Sequence, residues 1–311
     1  MNRQQGTVFR RTLVGLSFSL AALGARPAGA QWNVSRAASV PPQQVVRLWT
    51  GDAPGAQGKE DSDIPALGVY LPPNPKPHMP AVVVCPGGGY RFLSFAGEGE
   101  PAQRYLNGLG IAVFVLKSRF GPKYHYPVEL QDVLRAVRTV RARAGDWHVD
   151  PTRVGIMGFS AGGHLASMAS TMFDTGNVKA SDPIERVSSR PDFAVLAYAV
   201  ITMTDPWRHQ GSVDFLLGEH ADSTLAQSVS TDRRVTANTP PTFLFHTNGD
   251  DAVPAENSVM YYLALRKAGV KAEIHVYQNG PHAVVLGGDD PVLSTWPPLL
   301  TNWLKVNGWL P

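Results

Sequence analysis

The chain has 311 residues, 43% of them hydrophobic and 17% charged, which is enough apolar content to close a full core and too much for intrinsic disorder. Its formal charge of +3 arises in the first 30 residues, where Arg3, Arg10, Arg11 and Arg26 stand without an acidic residue; the remainder carries 24 basic against 25 acidic residues. That balance excludes a polybasic binder of nucleic acid, and the single cysteine, Cys85, excludes a disulfide framework and a cysteine-based zinc site.

Residues 1–30 read as an export signal, with a basic start, a 13-residue apolar run over 12–24 and the small-residue site Ala28-Gly29-Ala30. Cleavage is expected near Ala30, giving a periplasmic or secreted protein whose mature chain starts near Gln31. An apolar run of 13 residues is too short to span a bilayer of about 30 Å, so no membrane anchor is expected. The Arg10-Arg11 pair fits the twin-arginine route and the general one equally. Residues 31–44 are polar, small and aperiodic, a flexible approach to one domain over 45–311.

From there short β-branched runs alternate with helical stretches, with strands expected over 45–49, 67–71, 81–85, 111–116, 154–158, 193–198, 242–246 and 273–277. The runs at 81–85 and 111–116 are apolar without alternation, the pattern of strands covered on both faces of a parallel sheet. Val128, Leu130, Val133, Leu134, Val137 and Val140 recur at helical spacing behind Pro127, which suits a first turn. Val259, Tyr262, Leu263 and Leu265 repeat the pattern up to Gly269, a left-handed cap. The fold class is therefore α/β, doubly wound, with a mostly parallel eight-stranded sheet and helices on both faces. Residues 201–239 break the alternation and read as a small insertion after strand six, over the sheet's carboxyl edge.

The strongest local signal is Gly158-Phe159-Ser160-Ala161-Gly162, a G-x-S-x-G placed between a strand and the helical run 164–172. A serine hydroxyl is a poor nucleophile unless it is held exposed beside a base, and small flanking residues permit the tight strand-to-helix turn that does so. Cys85-Pro86-Gly87-Gly88-Gly89-Tyr90, at the end of a buried strand, suits backbone N–H donors to an oxyanion, with the Ala161 N–H as the expected partner. The base and its orienting acid are expected in loops after later strands. His282 follows the last strand, and Asp250 and Asp251, adjacent after the preceding one, both qualify as its partner. His164, His246 and His275 read as structural residues, Cys85 as a small buried hydrophobe, and no paired histidine spacing calls for a metal. Tyr90, Phe92, Tyr198 and Trp207 are candidates for an aromatic wall or for packing.

These residues, together with Gly97-Glu98-Gly99-Glu100-Pro101, Leu130-Gln131-Asp132, Gly162-Gly163-His164-Leu165-Ala166, Val253-Pro254-Ala255-Glu256-Asn257-Ser258 and Gly280-Pro281-His282, resemble a known group. They are similar to exported bacterial α/β-hydrolase esterases of the feruloyl/acetylxylan-esterase type, related to hormone-sensitive-lipase-like and dienelactone-hydrolase enzymes. The resemblance covers most of the chain from about Val82 onward. It implies an α/β-hydrolase fold, a catalytic set of Ser160, Asp250 and His282, and oxyanion donors at Gly88, Gly89 and Ala161. The acid is chosen because this group places it four residues before the proline of the Val-Pro step. The resemblance implies a serine esterase working through an acyl-enzyme, without a cofactor, on small-molecule or polysaccharide esters such as O-acetyl groups of xylan-like polymers. The chain departs from it at Pro86, where many relatives have histidine, and at Gly280-Pro281-His282-Ala283, where Gly-Gly-His-Gly is usual. Two other readings use the same residues: a prolyl-oligopeptidase-like serine peptidase, whose usual large N-terminal propeller this sequence does not contain, and a non-catalytic polysaccharide-binding protein on a hydrolase fold.

Overall fold

Unalternated apolar runs build the centre of the sheet. The computed structural model describes Met1 and residues 40–310, so the export signal expected over 1–30 lies outside the described residues apart from Met1. The strands are β1 (Gln44–Arg47), β2 (Ala66–Tyr70), β3 (Met79–Cys85), β4 (Ala112–Lys117), β5 (Val149–Phe159), β6 (Ala194–Ala197), β7 (Thr242–Thr247) and β8 (Ala272–Tyr277). The helices are α1 (Glu100–Gly108), α2 (Val128–Ala142), α3 (Ser160–Thr171), α4 (Gln210–Leu217), α5 (Ser223–Val229), α6 (Glu256–Lys267) and α7 (Trp296–Val306). All eight strands expected from the sequence form, in the order β1-β2-β4-β3-β5-β6-β7-β8. The pairings β1–β2 and β2–β4 at one edge are antiparallel, and the other five are parallel.

Successive side chains of β3 enter two different cores. Val82 and Val84 pack in the layer of Leu106 on α1 and Trp303 on α7, whereas Ala81 and Val83 pack in the layer of Val133 on α2, Leu165 on α3 and Leu265 on α6. Because both faces are covered, both phases of the strand must be apolar, which is why the run does not alternate. Each such valine contributes roughly 1.5–3 kcal/mol by leaving water. Helices α1 and α7 were not evident from periodicity. α7 opens on Pro297 and Pro298, which read as breakers yet fit a first helical turn where the missing N–H costs nothing.

Strands β3 and β5 pair in register, Val83 with Ile156 and Cys85 with Gly158, so their carboxyl ends lie side by side. From β3 the chain returns through α1 on one face, and from β5 through α3 on the other. This divergence opens a crevice between the two strand ends, the position where open α/β sheets bind ligands. The insertion after β6 supplies α4 and α5, and His209 and Phe215 from it reach the same crevice. Among the described residues, no helix is long and apolar enough to cross a membrane.

Candidate active site

Ser160 follows β5 and opens α3, at a turn too tight for ordinary side chains around it. A Cβ at Gly158 would lie 2.2 Å from the Gly162 carbonyl oxygen, and one at Gly162 would lie 2.1 Å from that of Cys85, so glycine is required at both ends of the pentapeptide. Ser160 itself sits at φ 52°, a left-handed conformation that costs a non-glycine residue about 1–3 kcal/mol and is characteristic of nucleophile turns.

The Ser160 Oγ lies 2.9 Å from His282 Nε2, and His282 Nδ1 lies 2.6 Å from Asp250 Oδ2. A carboxylate only accepts, so Nδ1 carries the ring proton and Nε2 is free to accept from the serine hydroxyl. The second Asp250 oxygen accepts the N–H groups of Ala252, at 3.0 Å, and Val253, at 2.8 Å. His246 Nε2 donates to the Val253 carbonyl at 2.9 Å and lies 3.4 Å from Asp250 Oδ2. Burial opposes charge on Asp250, but His246, His282 and the Val253 N–H outweigh it and hold the carboxyl well below the usual range. Asp251 is exposed. His246 thus has more than a packing role, since it steadies the acid.

The glycine loop passes directly over Ser160. Its Gly87 N–H is taken by Glu98 Oε2 at 2.6 Å, while among the described residues no acceptor receives the N–H of Gly88 or Gly89. Ala161 lies in the first turn of α3, whose leading N–H groups have no intrahelical acceptor. A cleft of about 350 Å³ opens over these groups, with Gly88, Gly89, Phe92, Ser160, Phe215 and His282 in its wall. Such an arrangement can deliver a serine oxygen to a carbonyl carbon, remove its proton and offer N–H donors to the developing oxyanion.

Behind the loop, Tyr90 donates to His164 Nδ1 at 2.8 Å, and His164 Nε2 donates to the Val229 carbonyl at 2.8 Å. His164 is fully buried, which brings its pKa down to about 4, so the ring is neutral and ties the glycine loop, α3 and the end of α5 together. Tyr90 is therefore a brace beneath the cleft. Phe92 alone of the four candidate aromatics lines the cleft; Tyr198 is buried with its ring edge-on to His282, centroids 5.1 Å apart, and Trp207 stands outside the wall. Cys85 is buried and its thiol is pushed up by burial. Among the described residues no cluster of three or more His, Cys, Asp or Glu side chains is arranged to hold a metal ion.

The sequence model of the BD-FAE family matches residues 67–265, which spans β2 to α6 and includes the serine turn. The chain belongs to the BD-FAE family. It is 38% identical over 244 residues to an acetylxylan esterase of Xylanibacter ruminicola, covering 76% of this chain and 47% of that protein. It is 35% identical over 237 residues to the endo-1,4-beta-xylanase B of Butyrivibrio fibrisolvens, covering 75% of this chain and 36% of that one. The match therefore spans less than half the length of either curated relative. Among solved structures, an acetyl ester-xyloside bifunctional hydrolase from Caldicellulosiruptor lactoaceticus superposes with a TM-score of 0.82 at 39% identity, over 88% of this chain and all of that one. The fold of this BD-FAE chain is the α/β-hydrolase fold expected from its sequence.

Sequence reasoning assigned no role at the site to three residues around it: Glu98, His209, and His246, which it read as structural. Glu98, 3% exposed, holds the Gly87 amide and accepts the Tyr198 hydroxyl at 3.1 Å; burial pushes its carboxyl up against those hydrogen bonds. It stood inside a quoted motif without a role, because its partners lie 11 and 100 residues away. His246 and His209 carried no motif at all.

Proposed function

We propose that this BD-FAE chain is a serine carboxylic-ester hydrolase that removes acyl groups, above all O-acetyl groups, from xylan-like carbohydrates, with Ser160, His282 and Asp250 as its catalytic residues. The observation that carries this reading is the relay of 2.9 and 2.6 Å from Ser160 through His282 to Asp250 at the floor of an open cleft. The Ser160 oxygen attacks the ester carbonyl while His282 Nε2 takes its proton and passes it to the departing alcohol. Water, deprotonated by the same nitrogen, then attacks the acyl-serine and releases the acid, returning the proton to Ser160. Gly88, Gly89 and Ala161 offer the N–H donors for the tetrahedral oxyanion, each worth about 10²–10³ in rate. The names of the relatives, an acetylxylan esterase and an acetyl ester-xyloside hydrolase, support acetylated xylose units as the substrate class.

The catalytic unit on this reading is the domain over 45–311, and the leader pattern of residues 1–30 supports its export to meet a polymer outside the cytoplasm. The deciding experiment compares wild type with Ser160→Ala on p-nitrophenyl acetate, acetylated xylan, feruloyl esters and aminoacyl amides, alongside fluorophosphonate labelling. Acetyl esters should be the preferred substrates, Ser160 should carry the label, and the variant should lose about 10⁵-fold or more of kcat with its melting temperature kept. Normal turnover by the variant would overturn the reading. Faster cleavage of amides would favour a peptidase, and xylan binding without labelling a binding protein.

A further inference from the structure

His209 immediately precedes α4 and caps it. Its Nδ1 accepts the Ser212 N–H at 3.2 Å and the Ser212 hydroxyl at 2.8 Å. A ring nitrogen that accepts a backbone N–H carries no proton, so the neutral ring holds its hydrogen on Nε2. Protonating Nδ1 would break the cap and place a cation at a helix N-terminus, where the dipole opposes it. Burial, with His282 nearby, lowers the ring's pKa in the same sense. The fold has made His209 a neutral donor of fixed orientation.

That donor stands at the reactive cleft. The ring forms part of the same wall as Ser160 and His282, with Cε1 3.7 Å from where a Cβ would project at Gly89. Among the described residues Nε2 has no protein acceptor. A cleft of about 350 Å³ is far larger than a two-carbon acyl group needs, so most of it is left for the alcohol. Phe92 and Phe215 supply aromatic surface to its wall, and the Arg91 guanidinium lies 5.8 Å over the Phe215 ring. Aromatic faces suit the C–H face of a pyranose, and N–H donors suit its oxygens.

We propose that His209 is a specificity-determining residue whose Nε2–H donates a hydrogen bond to a ring or hydroxyl oxygen on the alcohol part of a sugar acetate bound beside Ser160. The inference rests on the esterase reading and identifies which side chain reads the sugar. A site with a donor aimed at an oxygen discriminates against an alcohol of similar shape that lacks one, because the donor is then left unpaired.

The test compares a monoacetylated methyl xylopyranoside with cyclohexyl acetate, each kcat/KM divided by the ester's own hydroxide-catalysed rate. Wild type should prefer the sugar ester by about tenfold or more. His209→Asn keeps a capping side chain but falls short of the cleft, so it should erase about tenfold of that preference, mainly through KM. A wild-type preference below about threefold, which needs no variant to fold, would overturn the proposal, as would an undiminished preference in a folded His209→Asn protein. If wild type hydrolyses no acetate at all, the esterase reading fails and takes this one with it. If it hydrolyses both esters without discrimination, only the role of His209 fails.

Discussion

Glu98 accepts the Gly87 amide at 2.6 Å with one oxygen and the Tyr198 hydroxyl at 3.1 Å with the other, and the Tyr198 ring stands edge-on to His282. One buried carboxyl therefore joins the loop above Ser160 to the wall behind the histidine. By consuming the Gly87 N–H it also sets which amides of the loop stay open. Removing it would leave the buried Gly87 N–H and the buried Tyr198 O–H without acceptors, at about 1–3 kcal/mol each.

Glu98→Ala should lower kcat on p-nitrophenyl acetate by about 10²-fold, the scale of losing one oxyanion donor through a displaced loop. Glu98→Gln should keep most of the activity, because its amide oxygen can accept from Gly87 while its N–H₂ donates to the Tyr198 oxygen. Steady-state kinetics with a melting curve for each variant separate this from simple loss of fold. A folded Glu98→Ala protein with wild-type kcat would show that the carboxyl does not position the loop.

Asp250 and Asp251 should differ sharply. Asp250 is locked by the Ala252 and Val253 N–H groups with an oxygen on His282, while Asp251 points to solvent. Asp250→Asn would present an N–H₂ or a weaker acceptor to Nδ1 and favour the wrong tautomer, a change expected to cost about 10⁴ in kcat. Asp251→Asn should stay within about twofold of wild type on the same ester, as surface substitutions away from the chemistry do. Equal losses in the two would mean that the loop, and not the Asp250 carboxyl, matters.

The difference between these neighbours marks where the sequence stops being legible. The strands could be read because Val82, Val83 and Val84 must all be apolar when both faces are covered, and the serine turn because its glycines sit between a strand and a helix. Spacing carries no information on which of two adjacent loop carboxylates turns inward; that is decided by the N–H groups of Ala252 and Val253. Glu98 and His209 escaped notice for a related reason. Each acts through partners that only the folded loops bring together, Gly87 and Tyr198 for the first, the cleft for the second. Helix α7 was hidden by its own Pro297 and Pro298.

Two buried groups give opposed pH dependences of stability. His164, at about 4, stays neutral in the fold after the unfolded chain, near 6.5, has bound its proton, so its contribution is present above 6.5 and is lost as pH falls toward 4. Glu129 is buried, no side chain among the described residues bonds its carboxyl, and burial, with Asp132 beside it, outweighs its own backbone N–H and pushes it up to about 8. The fold keeps the Glu129 proton that the unfolded chain gives up near 4.5, so this contribution is lost as pH rises from 4.5 through 8. Each slope is about 1.4 kcal/mol per pH unit, and where the windows overlap they offset one another. Denaturant titrations at pH 5, 6, 7 and 8 should therefore separate the two by single variants. Glu129→Gln should gain stability over wild type at pH 8 relative to pH 5 and then decline as pH drops below 6.5, exposing the histidine. His164→Gln, which can still accept from Tyr90 and donate to Val229, should show the reverse, declining steadily as pH rises to 8. Profiles of both variants running parallel to wild type across the range would show that neither group holds the protonation state its burial demands.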